Sequence, residues 1–106
     1  MRKLPTLFFV VSGILLPVFS SLAQPAPAIS ETDVRLWAAS CAACHGTNGK
    51  AEGAGLNLAG QPAKRLYDAL IAYKTDKRAA TIMHQHAKGY SDLELLKIAE
   101  YFSKVK

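Results

Sequence analysis

The chain has 106 residues, a length that predicts a single domain. Its formal net charge is +5, from 13 basic and 8 acidic side chains. Nucleic-acid binders are usually more strongly and more locally basic, so no nucleic-acid partner is predicted.

The first 23 residues have the three-part plan of a secretory signal peptide. Met1-Arg2-Lys3 is positively charged, residues 4–19 are mostly apolar, and Ser21-Leu22-Ala23 places small residues before a cut. A membrane anchor is the alternative, but a spanning helix needs roughly 20 nearly unbroken apolar residues. We therefore predict cleavage after Ala23, with Ala28 as second choice, a periplasmic location and no stable membrane insertion.

Loss of residues 1–23 leaves 83 residues and removes two basic side chains, so that 11 basic face 8 acidic ones. A domain this small has a thin core and often depends on a staple or a cofactor. Residues 24–30, which begin Gln-Pro-Ala-Pro-Ala, read as a flexible leader. The folded domain is then predicted to span residues 31–106.

The first predicted helix starts at Ser30, which forms a capping pattern with Asp33. Its apolar side chains recur on one helical face, which comprises Val34, Trp37, Ala38 and Cys41. Five glycines between residues 46 and 60 then oppose regular structure and predict a loop.

Two further helices follow from the same periodicity. One begins after Pro62 and presents Leu66, Ala69, Leu70 and Tyr73 on one face. Residues 81–90 form a mixed, polar segment that Gly89 breaks. The last helix starts at Ser91, capped with Glu94, and presents Leu95, Ile98, Ala99 and Phe102. The prediction is an all-α fold in which Trp37 and Phe102 bring the first and last helices together.

Cys41-Ala42-Ala43-Cys44-His45 is a C-x-x-C-H motif, which is typical of c-type haem attachment. Two thiols one helical turn apart can each add to a vinyl group on one porphyrin edge. The adjacent His45 can then reach the iron from one side. A zinc knuckle would need a fourth ligand from His84 or His86, and a thioredoxin-like dithiol would need a preceding strand.

Met83 is the only methionine left after signal cleavage, and it follows His45 by 38 residues. His/Met ligation is the electron-transfer arrangement, because the soft thioether favours ferrous iron and raises the reduction potential. A lone methionine more often fills a gap in a core, but the neighbours of Met83 are polar. We predict Met83 as the sixth ligand, with His84 or His86 and an open sixth position as the alternatives.

From about residue 31 to residue 105 the chain resembles class I c-type cytochromes. The resemblance rests on CAACHG at residues 41–46, LAGQ at 58–61, Met83, and KGYSD at 88–92. The stretch MHQHAKGYSD at residues 83–92 is more particular, because it is similar to the haem subunit of flavocytochrome c sulfide dehydrogenases.

The resemblance implies three main helices and glycine-rich loops wrapped around one covalently bound haem c. It also implies an electron-transfer protein rather than an enzyme, with a partner flavoprotein that oxidises sulfide and a downstream redox protein or oxidase. A free soluble carrier between respiratory complexes is the alternative, and an independent haem enzyme or gas binder is a third hypothesis.

One position departs from the pattern of such cytochromes. They usually place a proline just before the LAGQ stretch, and its carbonyl accepts a hydrogen bond from the ring of the iron-bound histidine. Leu56 stands near that position here. A carbonyl survives any change of side chain, so the hydrogen bond is expected to persist while the loop loses stiffness.

Basic side chains outnumber acidic ones between residues 61 and 90. Only Asp68 and Asp76 oppose Lys64, Arg65, Lys74, Lys77, Arg78 and Lys88. An ordinary solvated helix face is the simpler interpretation. The functional interpretation is a basic rim that steers an acidic partner.

Overall fold

The computed structural model describes residues 23–53 and 56–106, and it contains four α-helices and no strand within them. The helices are α1 (Glu31–His45), α2 (Ala63–Lys74), α3 (Met83–Lys88) and α4 (Asp92–Ser103). A 3-10 turn, Thr47–Gly49, follows α1. The all-α prediction and its three main helices are thus confirmed. The predicted signal peptide lies, except for Ala23, outside the described residues.

Two serines fix where α1 and α4 begin. The Asp33 N–H donates to Ser30 Oγ over 3.1 Å, and the Ser30 N–H donates back to Asp33 Oδ2 over 2.9 Å. Ser91 and Glu94 make the same reciprocal pair at the start of α4. Each pair satisfies two backbone donors that a helix start leaves without partners, so both predicted caps are confirmed.

The core forms where α1 and α2 meet α4. Its buried side chains are Ala38, Leu66, Ile98, Ala99 and Phe102, and Trp37 packs against them from the side. The helical faces predicted from periodicity supply these residues. Trp37 and Phe102 belong to the same cluster and α1 contacts α4, so the predicted packing of the first helix on the last is confirmed.

The glycine-rich loop is held against the end of α4. The Gly49 carbonyl accepts from the Leu58 and Ala59 N–H groups, and the Gly60 N–H donates to the Phe102 carbonyl over 3.0 Å. Gly49 has a φ of +73°, and a Cβ there would lie 2.7 Å from the Phe102 ring. Only glycine allows this close approach. The loop contact also places residues 56–58 beside the end of α1.

The short helix α3 was not predicted, since residues 81–90 read only as a mixed segment. Six residues are too few for a helical period to stand out, and α3 has no side-chain N-cap. Tertiary contacts hold it instead. Ala87 is buried against the rest of the molecule, and Lys88 Nζ binds both carboxylate oxygens of Asp76 after α2.

Across the described part of the chain, no helix combines the length and apolar character needed to cross a membrane.

Candidate functional site

The end of α1 opens onto a cavity of about 290 Å³ that Cys41, Cys44 and His45 line together. Both thiols are free, with Cys41 half-buried and Cys44 exposed. Burial raises the pKa of the Cys41 thiol. Because helical residues three apart lie on one face, α1 aims both sulfur atoms into the same cavity.

His45 is oriented by the chain that returns beneath α1. Its Nδ1 lies 2.5 Å from the Leu56 carbonyl oxygen. A carbonyl can only accept, so Nδ1 carries the proton of the neutral ring and Nε2 keeps its lone pair for a metal. The expected hydrogen bond therefore persists although Leu56 has replaced the usual proline.

Met83, the first residue of α3, lines the same cavity. Of the two competing imidazoles, His86 also lines it, whereas His84 is not among the lining residues. His84 Nδ1 is buried without a hydrogen-bond partner in the described structure. The structure thus brings Cys41, Cys44, His45 and Met83 together around one cavity, with His86 as a further candidate ligand.

The cavity walls are mostly apolar and are built from the core itself. Helices α2 and α4 contribute most of them, through Leu66, Ala69, Leu70, Leu95, Ile98, Ala99 and Phe102. Leu58 and Ile82 come from the loops. A largely apolar cavity with few polar groups suits a large planar organic ligand.

Two guanidinium groups also line the cavity, Arg65 and Arg78. The Arg78 guanidinium lies over the Tyr73 ring, 4.9 Å from its centroid. Both side chains are exposed, as expected for a solvated helix face or a basic rim, and both also line the cavity. Arg65, Ala69 and Tyr73 are spaced by four along α2, which is a signal that could have placed Arg65 on the cavity face. Arg78 lies in the loop after α2, so helical spacing could not have predicted its position.

The basic side chains between residues 61 and 90 carry less unpaired positive charge than their number suggests, which favours the interpretation as an ordinary solvated face. Three of the lysines form ion pairs, Lys64 with Asp68 at 2.5 Å, Lys74 with Asp92 at 2.7 Å and Lys88 with Asp76 at 2.7 Å. The hydrogen bond from Lys88 lowers the pKa of the Asp76 carboxyl. Lys77 remains an exposed basic residue beside Arg78.

The residues present fit a covalently attached haem. Two thiols and an imidazole with a free Nε2 line the cavity, and a thioether and apolar walls complete it. Arg65 and Arg78 offer fork-shaped donors for the two carboxylates of such a group. Within the described ranges, no three His, Cys, Asp or Glu side chains are grouped as ligands of a metal ion.

Comparison with known proteins agrees with this chemistry. The family model for Cytochrome c matches residues 34–106. The chain is 37% identical over 77 residues to the cytochrome subunit of sulfide dehydrogenase of Chlorobaculum tepidum, covering 73% of this chain and 70% of that protein.

Two further relatives are cytochromes from other bacteria. Cytochrome c-554(548) of Halomonas halodenitrificans is 39% identical over 71 residues, covering 59% of this chain and 81% of that protein. Cytochrome c-554(547) of Halothiobacillus neapolitanus is 29% identical over 82 residues, covering 67% of this chain and 90% of that protein.

Proposed function

Because this chain belongs to the cytochrome c family, we propose that it is the haem subunit of a sulfide-oxidising flavocytochrome. It carries one covalently bound haem c and transfers electrons rather than catalysing a reaction of its own. In the proposed complex a flavoprotein subunit oxidises sulfide and passes single electrons to this chain. The chain then delivers them to a downstream redox protein or oxidase.

The proposed roles of the site residues follow from their positions. Cys41 and Cys44 would attach the haem through thioethers, His45 would hold the iron through Nε2, and Met83 would hold it through sulfur. The bound haem supplies a one-electron couple. The Leu56 carbonyl fixes the ring and tautomer of His45. A Met83 thioether on the iron would raise the reduction potential and keep small molecules off the metal.

The proposed docking area is the exposed part of the cavity wall, where Ala43, Cys44 and Ile82 lie. Ile82 leaves 52% of its surface exposed, which gives this edge an apolar contact point. Arg78 lines the cavity and Lys77 precedes it, so positive charge lies nearby. An acidic flavoprotein surface complements this arrangement.

The similarity to the Chlorobaculum tepidum subunit carries the proposal of a flavoprotein partner. It extends over 77 residues, so it involves the domain rather than the haem motif alone. The motif by itself marks any c-type cytochrome.

The test uses the mature haem-loaded chain and the flavoprotein subunit of a sulfide dehydrogenase from the same source. Both are mixed without oxygen, sulfide is added, and haem reduction is followed by absorbance. We expect fast reduction only when the flavoprotein is present. Equal reduction with and without the flavoprotein, or none in either case, would contradict the proposal.

A free carrier between respiratory complexes is the second candidate. Two relatives matched over 81% and 90% of their own lengths are named simply as cytochromes, which favours it. Gel filtration of the mixture separates the two functions. A stable complex with the flavoprotein supports a subunit, whereas separate elution combined with rapid electron exchange supports a free carrier.

We further propose that residues 1–23 are a cleaved signal peptide, that residues 24–30 are a leader and that the domain at 31–106 works in the periplasm. The charged start, the apolar stretch and the small residues Ser21 and Ala23 before the cut support this. Amino-terminal sequencing of the protein from a periplasmic fraction should begin at Gln24. Full-length protein retained in the cytoplasm would contradict it.

A further inference from the structure

Tyr90 joins α3 to α4 and lines the cavity. Its backbone is fixed on two sides. The Tyr90 N–H donates to the Ala87 carbonyl over 3.3 Å, and its own carbonyl accepts from Lys74 Nζ over 2.7 Å. The residue is therefore tied to the end of α3, which carries Met83, and to the end of α2.

The Tyr90 side chain reaches across to α1. Its hydroxyl lies 3.1 Å from Ser40 Oγ, and its ring meets the Trp37 ring edge-on with centroids 6.3 Å apart. Ser40 Oγ donates its single proton to the Trp37 carbonyl over 2.7 Å. Ser40 can then only accept from Tyr90, so the tyrosine hydroxyl is the donor.

This hydrogen bond connects two elements that otherwise pack on different neighbours. In the described structure α3 packs mainly against α2, and α1 packs against the 3-10 turn and α4. Ser40 directly precedes Cys41, and α1 ends at His45. Within the described residues, Tyr90–Ser40 is the side-chain hydrogen bond between α1 and the 75–91 segment.

We propose that Tyr90 is a positioning residue that, through Ser40, couples the haem-attachment end of α1 to the helix that carries Met83. The inference rests on the proposed ligation of the iron by His45 and Met83. A sixth ligand stays on the metal only if its helix keeps a fixed place relative to the opposite ligand. The Tyr90 hydroxyl supplies one such constraint at the cavity wall.

Tyr90→Phe tests this role, because it removes the hydroxyl and keeps the ring against Trp37. Haem-loaded ferric protein is titrated with imidazole, which competes with the Met83 sulfur, while the weak near-infrared sulfur-to-iron band is followed. A net hydrogen bond changes an equilibrium by roughly two- to tenfold, so apparent imidazole affinity should rise by about that factor. Tyr101→Phe is the matched control, since Tyr101 is partly buried but does not line the cavity.

Ser40→Ala tests the same hydrogen bond from the α1 side, on an exposed residue whose replacement should not prevent folding. It should raise the apparent imidazole affinity as much as Tyr90→Phe does. The double variant should show no further rise, because the two residues form one interaction. Ser40→Thr keeps the hydroxyl and should behave like the parent. Alanine stabilises a helix at least as well as serine does, so Ser40→Ala should not weaken α1 itself. A rise in imidazole affinity would then reflect the lost hydrogen bond and not a damaged helix.

The two proposals fail in different ways. A parent protein without the near-infrared band would overturn the Met83 ligation and this inference together. A parent with the band, combined with unchanged imidazole affinity in Tyr90→Phe and Ser40→Ala, would overturn the inference alone.

Discussion

At the scale of single residues, neighbouring groups determine what each atom of the site can do. His45 presents Nε2 to the cavity because Nδ1 is bound to the Leu56 carbonyl. The acceptor belongs to the backbone, so the interaction does not depend on which side chain stands at position 56. Met83 is positioned by the short helix that it begins.

The first prediction concerns Met83. Replacing it with alanine should open the sixth position of the iron, lower the reduction potential and abolish the near-infrared sulfur-to-iron band, because the thioether no longer favours ferrous iron. Carbon monoxide should bind the reduced variant readily and the parent poorly. Potentiometry and carbon monoxide titration measure both effects.

His84 and His86 could replace the missing sulfur, and His86 already lines the cavity. The triple variant in which both histidines also become alanine removes this route and is the cleaner comparison. Unchanged potential and ligand binding in Met83→Ala would show that Met83 is not a ligand. A bis-histidine or open-site haem would then replace the proposed arrangement.

At the scale of helices, α4 is the element on which the others pack. Phe102 is only 2% exposed, contacts the α1 side of the core and also lines the cavity. Its ring leaves no room for a Cβ at Gly49, so the glycine-rich loop is fitted to it. One side chain thus joins the core, the loop and the cofactor cavity.

The second prediction follows from this position. Phe102→Ala should lower the free energy of unfolding of the haem-loaded protein by about 3–5 kcal/mol, the usual cost of emptying a buried phenylalanine site. Leu93→Ala on the same helix is the control, since Leu93 is 55% exposed and should change stability by less than about 0.5 kcal/mol. Denaturant titration compares the two variants. Equal losses would mean that the core does not centre on Phe102.

At the scale of the whole molecule, the core and the cavity wall are largely the same residues. Leu66, Ile98, Ala99 and Phe102 belong to both. A chain this small buries little apolar surface by itself, so a haem bound in this cavity would extend the core. Folding and haem attachment are therefore expected to depend on each other.

The third prediction is that the Cys41→Ser, Cys44→Ser double variant lacks covalent haem and loses cooperative folding. Mass spectrometry should find the haem-free mass, whereas the parent keeps one haem through acid denaturation. Thermal melting followed by circular dichroism should show no sharp transition near that of the parent. A haem-free variant that melts as cooperatively as the parent would contradict the shared core, and a parent with the haem-free mass would contradict attachment.

The fourth prediction concerns the charge of the molecule. Association with the flavoprotein should slow by about tenfold between low salt and about 1 M salt, because mobile ions screen exposed charges. Lys77→Glu, next to the cavity-lining Arg78, should slow association more than Lys104→Glu, which makes the same charge change at the end of α4. Stopped-flow rates measure this. Association rates that do not depend on salt, or equal effects of the two variants, would contradict electrostatic steering.

The sequence by itself determined the local features of this protein. Helix starts were readable at Ser30 and Ser91, because a cap and its partner lie three residues apart. The buried faces of α1, α2 and α4 followed from the helical period. The haem-attachment motif was readable because its three reactive residues are nearly adjacent.

Only the tertiary structure decided the features that depend on residues far apart in the chain. The exposed Arg65 and Arg78 side chains also line the cavity. Helix α3 forms because Ala87 and Lys88 meet partners elsewhere in the chain. Tyr90 meets Ser40 across 50 residues of sequence. Local periodicity carries no information about such contacts, since they arise only when helices pack around a shared cavity.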